Sequence, residues 1–161
     1  MKHLLIILSL FLFSFTVISC SDEKEDSTEN SGTTTTTTDD TTKFVGVGES
    51  GTIVRSTDNG SSFDNVTSPT ANSLYDVGFG NYTFVGVGTS GTIVRSTENG
   101  ASFSTVTSPT STTLWGVGFG NYTFVGVGNS GTIVRSTDNG SSFDNVTSPT
   151  STTLWGVTFG N

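Results

Sequence analysis

From residue 44 onward the chain alternates apolar and polar positions in short runs set apart by Gly, Asn, Ser and Thr. In its middle part, Tyr82-Thr83-Phe84-Val85-Gly86-Val87 is followed by Thr89-Ser90-Gly91 and then Thr92-Ile93-Val94-Arg95-Ser96-Thr97. The turn Glu98-Asn99-Gly100 leads into Ser102-Phe103-Ser104-Thr105-Val106-Thr107, and after a loop around Pro109 comes Leu114-Trp115-Gly116-Val117-Gly118-Phe119. Runs rich in Val, Ile, Thr and Phe joined by Asn-Gly read as strands in hairpins, because these turn residues accept the positive φ that a tight hairpin needs. No stretch holds a helical period, and the glycines would break a helix. The pattern predicts four short strands and an all-β fold.

The fourth run also says how sheets pack. With side chains alternating between faces, Trp115, Val117 and Phe119 share one face, while Gly116 and Gly118 leave the other nearly bare. A bulky face and a bare face on one sheet let neighbouring sheets nest. The whole pattern returns every forty residues, so that Ser56 to Phe63 reappears as Ser96 to Phe103 and as Ser136 to Phe143. Copies 82–121 and 122–161 differ at only six positions, Thr89/Asn129, Glu98/Asp138, Ala101/Ser141, Ser104/Asp144, Thr105/Asn145 and Gly118/Thr158. A four-stranded unit of this length is the size of one β-propeller blade. The expected fold is a β-propeller-type array of three four-stranded blades.

Three blades are fewer than the roughly 4 to 8 that propellers use. The repeat region opens on the strand Phe44-Val45-Gly46-Val47 and stops just after Leu154 to Phe159, so the last strand of one array can complete a sheet begun by the first strand of another, or of the same chain. Two chains combining into a six-bladed ring is the first expectation. The competing one is an open arc whose apolar end faces aggregate or recruit a partner.

Ser56, Asp58, Gly60 and Phe63, with Ser96, Glu98, Gly100 and Phe103 and then Ser136, Asp138, Gly140 and Phe143, spell Ser-x-Asp-x-Gly-x-x-aromatic, with glutamate for aspartate in the middle copy. This resembles the Asp-box, or BNR repeat, of sialidases, sortilin-type receptors and related propellers. The longer phrase Val-Gly-x-x-Gly-Thr-Ile-Val-Arg-Ser-Thr-Asp-Asn-Gly is similar to the repeats of the photosystem II assembly and stability factor family. The likeness runs in phase through residues 44–161, departing in Phe where tryptophan is common, in Glu98, and in having three units where those families have six or more. It implies that the box is a structural hairpin clamp lying away from any active centre.

The chain before the repeats reads as an address. Lys2 and His3 precede an apolar run from Leu4 to Ile18, which has the length of a secretory signal and is short for a membrane span of roughly 20 residues. Cys20 is the only cysteine, so no intramolecular disulfide forms. Its place after Val17-Ile18-Ser19 resembles the lipobox of bacterial lipoproteins, which implies cleavage before Cys20 and diacylation of it; the plainer reading is an ordinary signal peptide with an incidental cysteine. Residues 21–42 contain no hydrophobic side chain, so nothing there offsets the entropy of ordering, and a tether is expected. The acids from Asp22 to Asp26 resemble the surface-export signal of some Gram-negative lipoproteins, or are simply a solvated linker. The expected layout is a signal peptide at 1–19, a lipidated Cys20 with an acidic, Thr-rich tether at 20–42, and three repeats at 43–161. The expected address is the bacterial outer membrane, facing the periplasm or the cell surface.

Charge narrows the partners. Residues 43–161 carry Lys43, Arg55, Arg95 and Arg135 against seven acids, without a basic run, which argues against nucleic acid and against binding anionic headgroups through charge. Arg55, Arg95 and Arg135 are repeat equivalents on the strand before each box. Each is expected to pair with an acid such as Asp64 or Asp144 or to lie along the blade edge; in a closed ring they would form a basic girdle able to hold an anionic partner. His3 and Cys20 are the only residues of their kinds, so the repeats can assemble neither a Ser-His or Cys-His nucleophile system nor a His-based metal site. No catalytic residue, metal or other cofactor is assigned, and one acid per box falls short of a calcium shell.

Glu49 and Tyr75-Asp76 break the repeat symmetry, and Trp115 and Trp155 are candidates either for stacking on sugars or for packing. The expected function is a membrane-anchored binding or assembly scaffold, not an enzyme, whose partner is a second copy, a protein or a glycan. The alternatives are a sialidase-like glycoside hydrolase working through two carboxylates, and a truncated repeat fragment without settled function.

Overall fold

The computed structural model describes residues 42–160. The leader, Cys20 and the tether up to residue 41 lie outside the described residues. What is described is all-β: eleven strands in three antiparallel sheets, with a short 3-10 turn inside each repeat.

The first sheet holds β1 (Phe44–Val47), β2 (Ile53–Ser56) and β3 (Asp64–Asn65). The second runs β4 (Leu74–Gly80), β5 (Thr83–Gly88), β6 (Ile93–Ser96) and β7 (Ser104–Val106), and the third β8 (Leu114–Gly120), β9 (Thr123–Gly128), β10 (Ile133–Ser136) and β11 (Asp144–Val146). Each complete sheet is thus a four-stranded meander that straddles two copies, its first strand coming from the end of the preceding copy. This is a β-propeller-type array of blades. The first sheet has three strands.

Residues 154–159, expected as a strand, carry no sheet pairing. Their backbone nevertheless lies along β8: a Cβ on Gly116 would meet Gly156 Cα at 2.9 Å, one on Gly118 would meet the Val157 carbonyl oxygen at 2.9 Å, and one on Gly120 would fall within the Phe159 ring. They occupy the inner-strand position of a further blade, and a strand needs a ladder partner to become one.

Blades nest through the bulky and bare faces of these inner strands. Val117 sits 3.4 Å from where a Cβ of Gly78 would be, and Phe119 fills the space that a side chain at Gly80 would take. Between the second and third sheets Val85, Val87, Ile93, Leu114, Val117, Phe124, Val134 and Phe143 form the main core. Ile53, Leu74 and Val94 make the equivalent, smaller core between the first and second.

Candidate functional site on the inner strands and blade junctions

Each box is a hairpin turn held by its own side chains. Asn59 and Gly60 both have positive φ, 59° and 83°, and the Asp58 carbonyl accepts the Ser61 N–H at 3.3 Å, the mirror-image turn that suits twisted strands. Buried Ser56 Oγ accepts the Gly60 N–H at 2.8 Å and donates to Asp58 Oδ1 at 2.7 Å. Asp58 also accepts the Ser62 N–H at 3.0 Å and the Ser62 hydroxyl at 2.7 Å. Ser136, Asp138, Gly140 and Ser142 repeat this set at 2.6–3.0 Å. The hydroxyl of Ser62 first, then that of Ser56, holds the Asp58 carboxyl down at about 2, and Ser142 first does the same for Asp138, also to about 2.

The middle copy is looser. Ser96 Oγ accepts Gly100 N–H at 3.1 Å and Glu98 N–H at 3.3 Å, and Glu98 accepts the Ser102 hydroxyl at 2.8 Å. The extra methylene of Glu98 carries its carboxylate past the Ser96 hydroxyl. All three box acids are solvent-exposed side chains on hairpin tips, and among the described residues no group of three or more metal-ligating side chains gathers.

Box aromatics and arginines sit at the blade junctions. Phe143 is 6% exposed and Phe103 half-buried, whereas Phe63 of the first sheet is 50% exposed because no blade precedes it among the described residues. Arg55 Nε donates to the Asn99 carbonyl in the next blade at 2.7 Å, and Arg95 Nε to the Asn139 carbonyl at 2.8 Å. The acid pairing expected from the sequence is therefore replaced. Asp64 lies opposite Arg55 in the ladder and Asp144 opposite Arg135, yet the guanidinium of Arg55 turns to a turn carbonyl of the neighbouring blade, as does that of Arg95. Asn139 fastens the same junction with its amide, donating to Thr83 Oγ1 at 2.6 Å. Arg135 is exposed and holds no such bond among the described residues.

A second feature runs along the starts of the inner strands. The β4–β5 ladder slips between Leu74 and Asp76, and the β8–β9 ladder between Leu114 and Gly116. These bulges take Tyr75 and Trp115 out of the simple alternation that would have set Trp115 beside Val117, and re-aim their rings. Tyr75 stacks on Trp115 with centroids 4.4 Å apart, and Trp115 meets Trp155 at 5.1 Å. The Trp115 indole N–H donates to Asn129 Oδ1 at 2.7 Å, which fixes the ring. Tyr75 is 42% and Trp155 67% exposed, so the row offers ring faces to water.

Asp76 accepts the Val117 N–H of the next inner strand at 2.8 Å and its own Val77 N–H at 2.9 Å, and so bridges two blades. The sequence marked Tyr75-Asp76 as a break in symmetry. What it lacked was the bulge, whose trace is an aromatic at the same phase in every copy.

Among solved structures the chain is similar to one described as YCF48 bound to D1 peptide, with a TM-score of 0.57 at 21% identity over 66% of this chain. The chain spans 38% of the length of that structure. No protein-family model and no curated protein matches the chain.

Proposed function

We propose that this protein is a binding or assembly scaffold, a β-propeller repeat lipoprotein that presents its inner-strand aromatic row to a segment of another protein. The row Tyr75, Trp115 and Trp155 carries the proposal: three rings in contact, Tyr75 and Trp115 aimed by bulges, and exposed at both ends. Stacked aromatic faces bind apolar and aromatic side chains of a partner at small conformational cost. The similar propeller that holds a peptide supports a polypeptide ligand over a glycan. Attachment through a diacylated Cys20 at the outer membrane would keep the scaffold beside membrane partners, since two acyl chains hold where one does not. The reading assigns no catalytic residue and leaves the box to its turns.

The test is a binding screen of the intact, detergent-solubilised protein against immobilised extended peptides and a glycan array. Peptide capture that falls at least tenfold in Tyr75→Ala and Trp115→Ala, with the melting temperature of each variant known, is the expected result. Capture of glycans alone would move the function to carbohydrate binding, and capture of neither would overturn it. For the anchor, Cys20→Ser should abolish palmitate labelling and release the chain from membranes.

A further inference from the structure

We propose that two copies of the chain join head to tail, residues 154–160 of each adding as the inner strand to the β1 edge of the other, to close a ring of six blades. The interface does not depend on the ligand-binding proposal, because it is written in contacts that the chain makes twice within itself and leaves unmade at both ends of the described residues.

The register comes from the internal junctions. Phe79 lies opposite Phe84 and Phe119 opposite Phe124, with ring centroids 4.5 and 4.7 Å apart. By the same spacing Phe159 falls opposite Phe44, Val157 opposite Gly46 and Gly156 opposite Val47. Phe44 is 46% exposed, while its equivalents Phe84 and Phe124 are 6% and 0%. The backbone slot is ready as well. At Gly88 and Gly128 the Ser73 and Thr113 carbonyls occupy the space of a Cβ, whereas a Cβ on Gly48 would meet only Thr52, at 3.6 Å. Thr89 and Asn129 donate their N–H groups to those two carbonyls at 2.9 and 3.0 Å, and the N–H of Glu49 makes no such bond among the described residues.

Side chains at the two ends are complementary too. The arginine clamp, made by Arg55 to Asn99 and by Arg95 to Asn139, leaves exposed Arg135 at one end and the Asn59 carbonyl at the other. Trp115 gives its indole N–H to Asn129, and the residue at that place facing Trp155 of a second copy would be exposed Glu49, a carboxylate acceptor. The substitution that breaks the repeat in the first copy therefore stands where a charged acceptor meets an indole donor. Trp155 would then also reach Tyr75 of the second copy, and the aromatic row would run round the whole ring.

Directly opposed antiparallel residues have Cα atoms about 4.5–5.5 Å apart, within disulfide reach. Full-length chains carrying Phe44→Cys and Phe159→Cys on different tags, co-expressed and oxidised, are expected to cross-link into a mixed two-chain species. Val47→Cys with Phe159→Cys, three residues out of register, should not, and the unsubstituted chain reports any bond made through Cys20. In detergent the intact protein should have the mass of two chains. Arg135→Ala, which removes a charge-assisted bond at both junctions, should raise the dissociation constant about 100-fold, roughly tenfold for each. A one-chain mass, a ladder of higher species, equal cross-linking in both registers, or an unchanged constant in Arg135→Ala would overturn the proposal.

Discussion

Ser136→Ala against Ser96→Ala compares one buried hydroxyl in two settings within a single chain. Both serines are almost fully buried, at 1% and 2% exposure, and alanine fits the same space. Ser136 Oγ accepts the Gly140 N–H at 2.8 Å and donates to Asp138 at 2.7 Å. Its loss leaves a buried N–H without a partner, a cost of about 1–3 kcal/mol. The bond to Asp138 adds only about 0.5 kcal/mol, because that carboxylate is open to water and regains hydration. Ser96 has longer bonds, 3.1 and 3.3 Å, and gives no hydroxyl to Glu98, so about 1–2 kcal/mol is expected there. At about 4 °C per kcal/mol for a unit of this size, Ser136→Ala should lower the melting temperature by about 6–14 °C and Ser96→Ala by about 4–8 °C. Calorimetry must hold protein concentration fixed, since association shifts the transition. Amide exchange at Gly140 and Gly100 localises the loss. Equal costs at the two sites, or faster exchange spread over all three blades alike, would refute the clamp as the origin of hairpin stability.

Glu98→Asp should bring the middle carboxylate back within reach of the Ser96 hydroxyl and Ser102 N–H, adding about 0.5–1 kcal/mol in the same calorimetric experiment. Asp58 and Asp138 titrate at about 2 when folded, below the ordinary 3.8, so their stabilisation is whole above about pH 4 and lost as pH falls towards about 2. Acid unfolding followed by circular dichroism should shift over that window, and the double variant D58N/D138N should flatten it. Gly80→Ala puts a Cβ inside the Phe119 ring and should cost about 1–3 kcal/mol through forced repacking of that junction. Thr158→Gly restores the bare face that Gly78 and Gly118 present at equivalent positions, where a Cβ meets the next strand at 3.4 and 2.9 Å, and should tighten the two-chain species in a dilution series.

The hairpins were legible because their cause is local: Asn-Gly sets the turn, and alternation sets the strand on either side of it. Nesting was legible for a related reason, since Gly78 and Gly80 facing Val117 and Phe119 needs only period two and a neighbour of the same sequence. The bonds of Arg55 and Arg95 were not legible, because their acceptors, the Asn99 and Asn139 carbonyls, lie 44 residues away on another blade and are backbone atoms with no signature in the side chains. Trp115 was placed on the wrong footing because a single bulge residue shifts every alternation before it, and the residue after the bulge is Gly116 in one sheet but Asp76 in the other, so no shared residue marks it. Residues 154–159 have strand composition without strand pairing. Composition proposes an edge, and only a partner makes it a ladder.

The way the blades meet asks the same two surfaces of every copy. The junction is heterologous: one surface carries the arginine and the glycine face, and the opposite surface carries the turn carbonyl and the Val and Phe side chains, so every copy must offer both halves. Departures are tolerable where a position meets something different from its equivalents. Asp76 bonds the Val117 N–H across a junction, whereas its equivalent Gly116 lies against the backbone of Trp155 and Gly156 and has no room for a side chain. Glu49 and Thr158 lie on the two end surfaces, where a heterologous interface either closes on a second copy or repeats into an open filament. The proposed ring closure therefore rests on a few end residues, while the stacking between blades is common to every junction described.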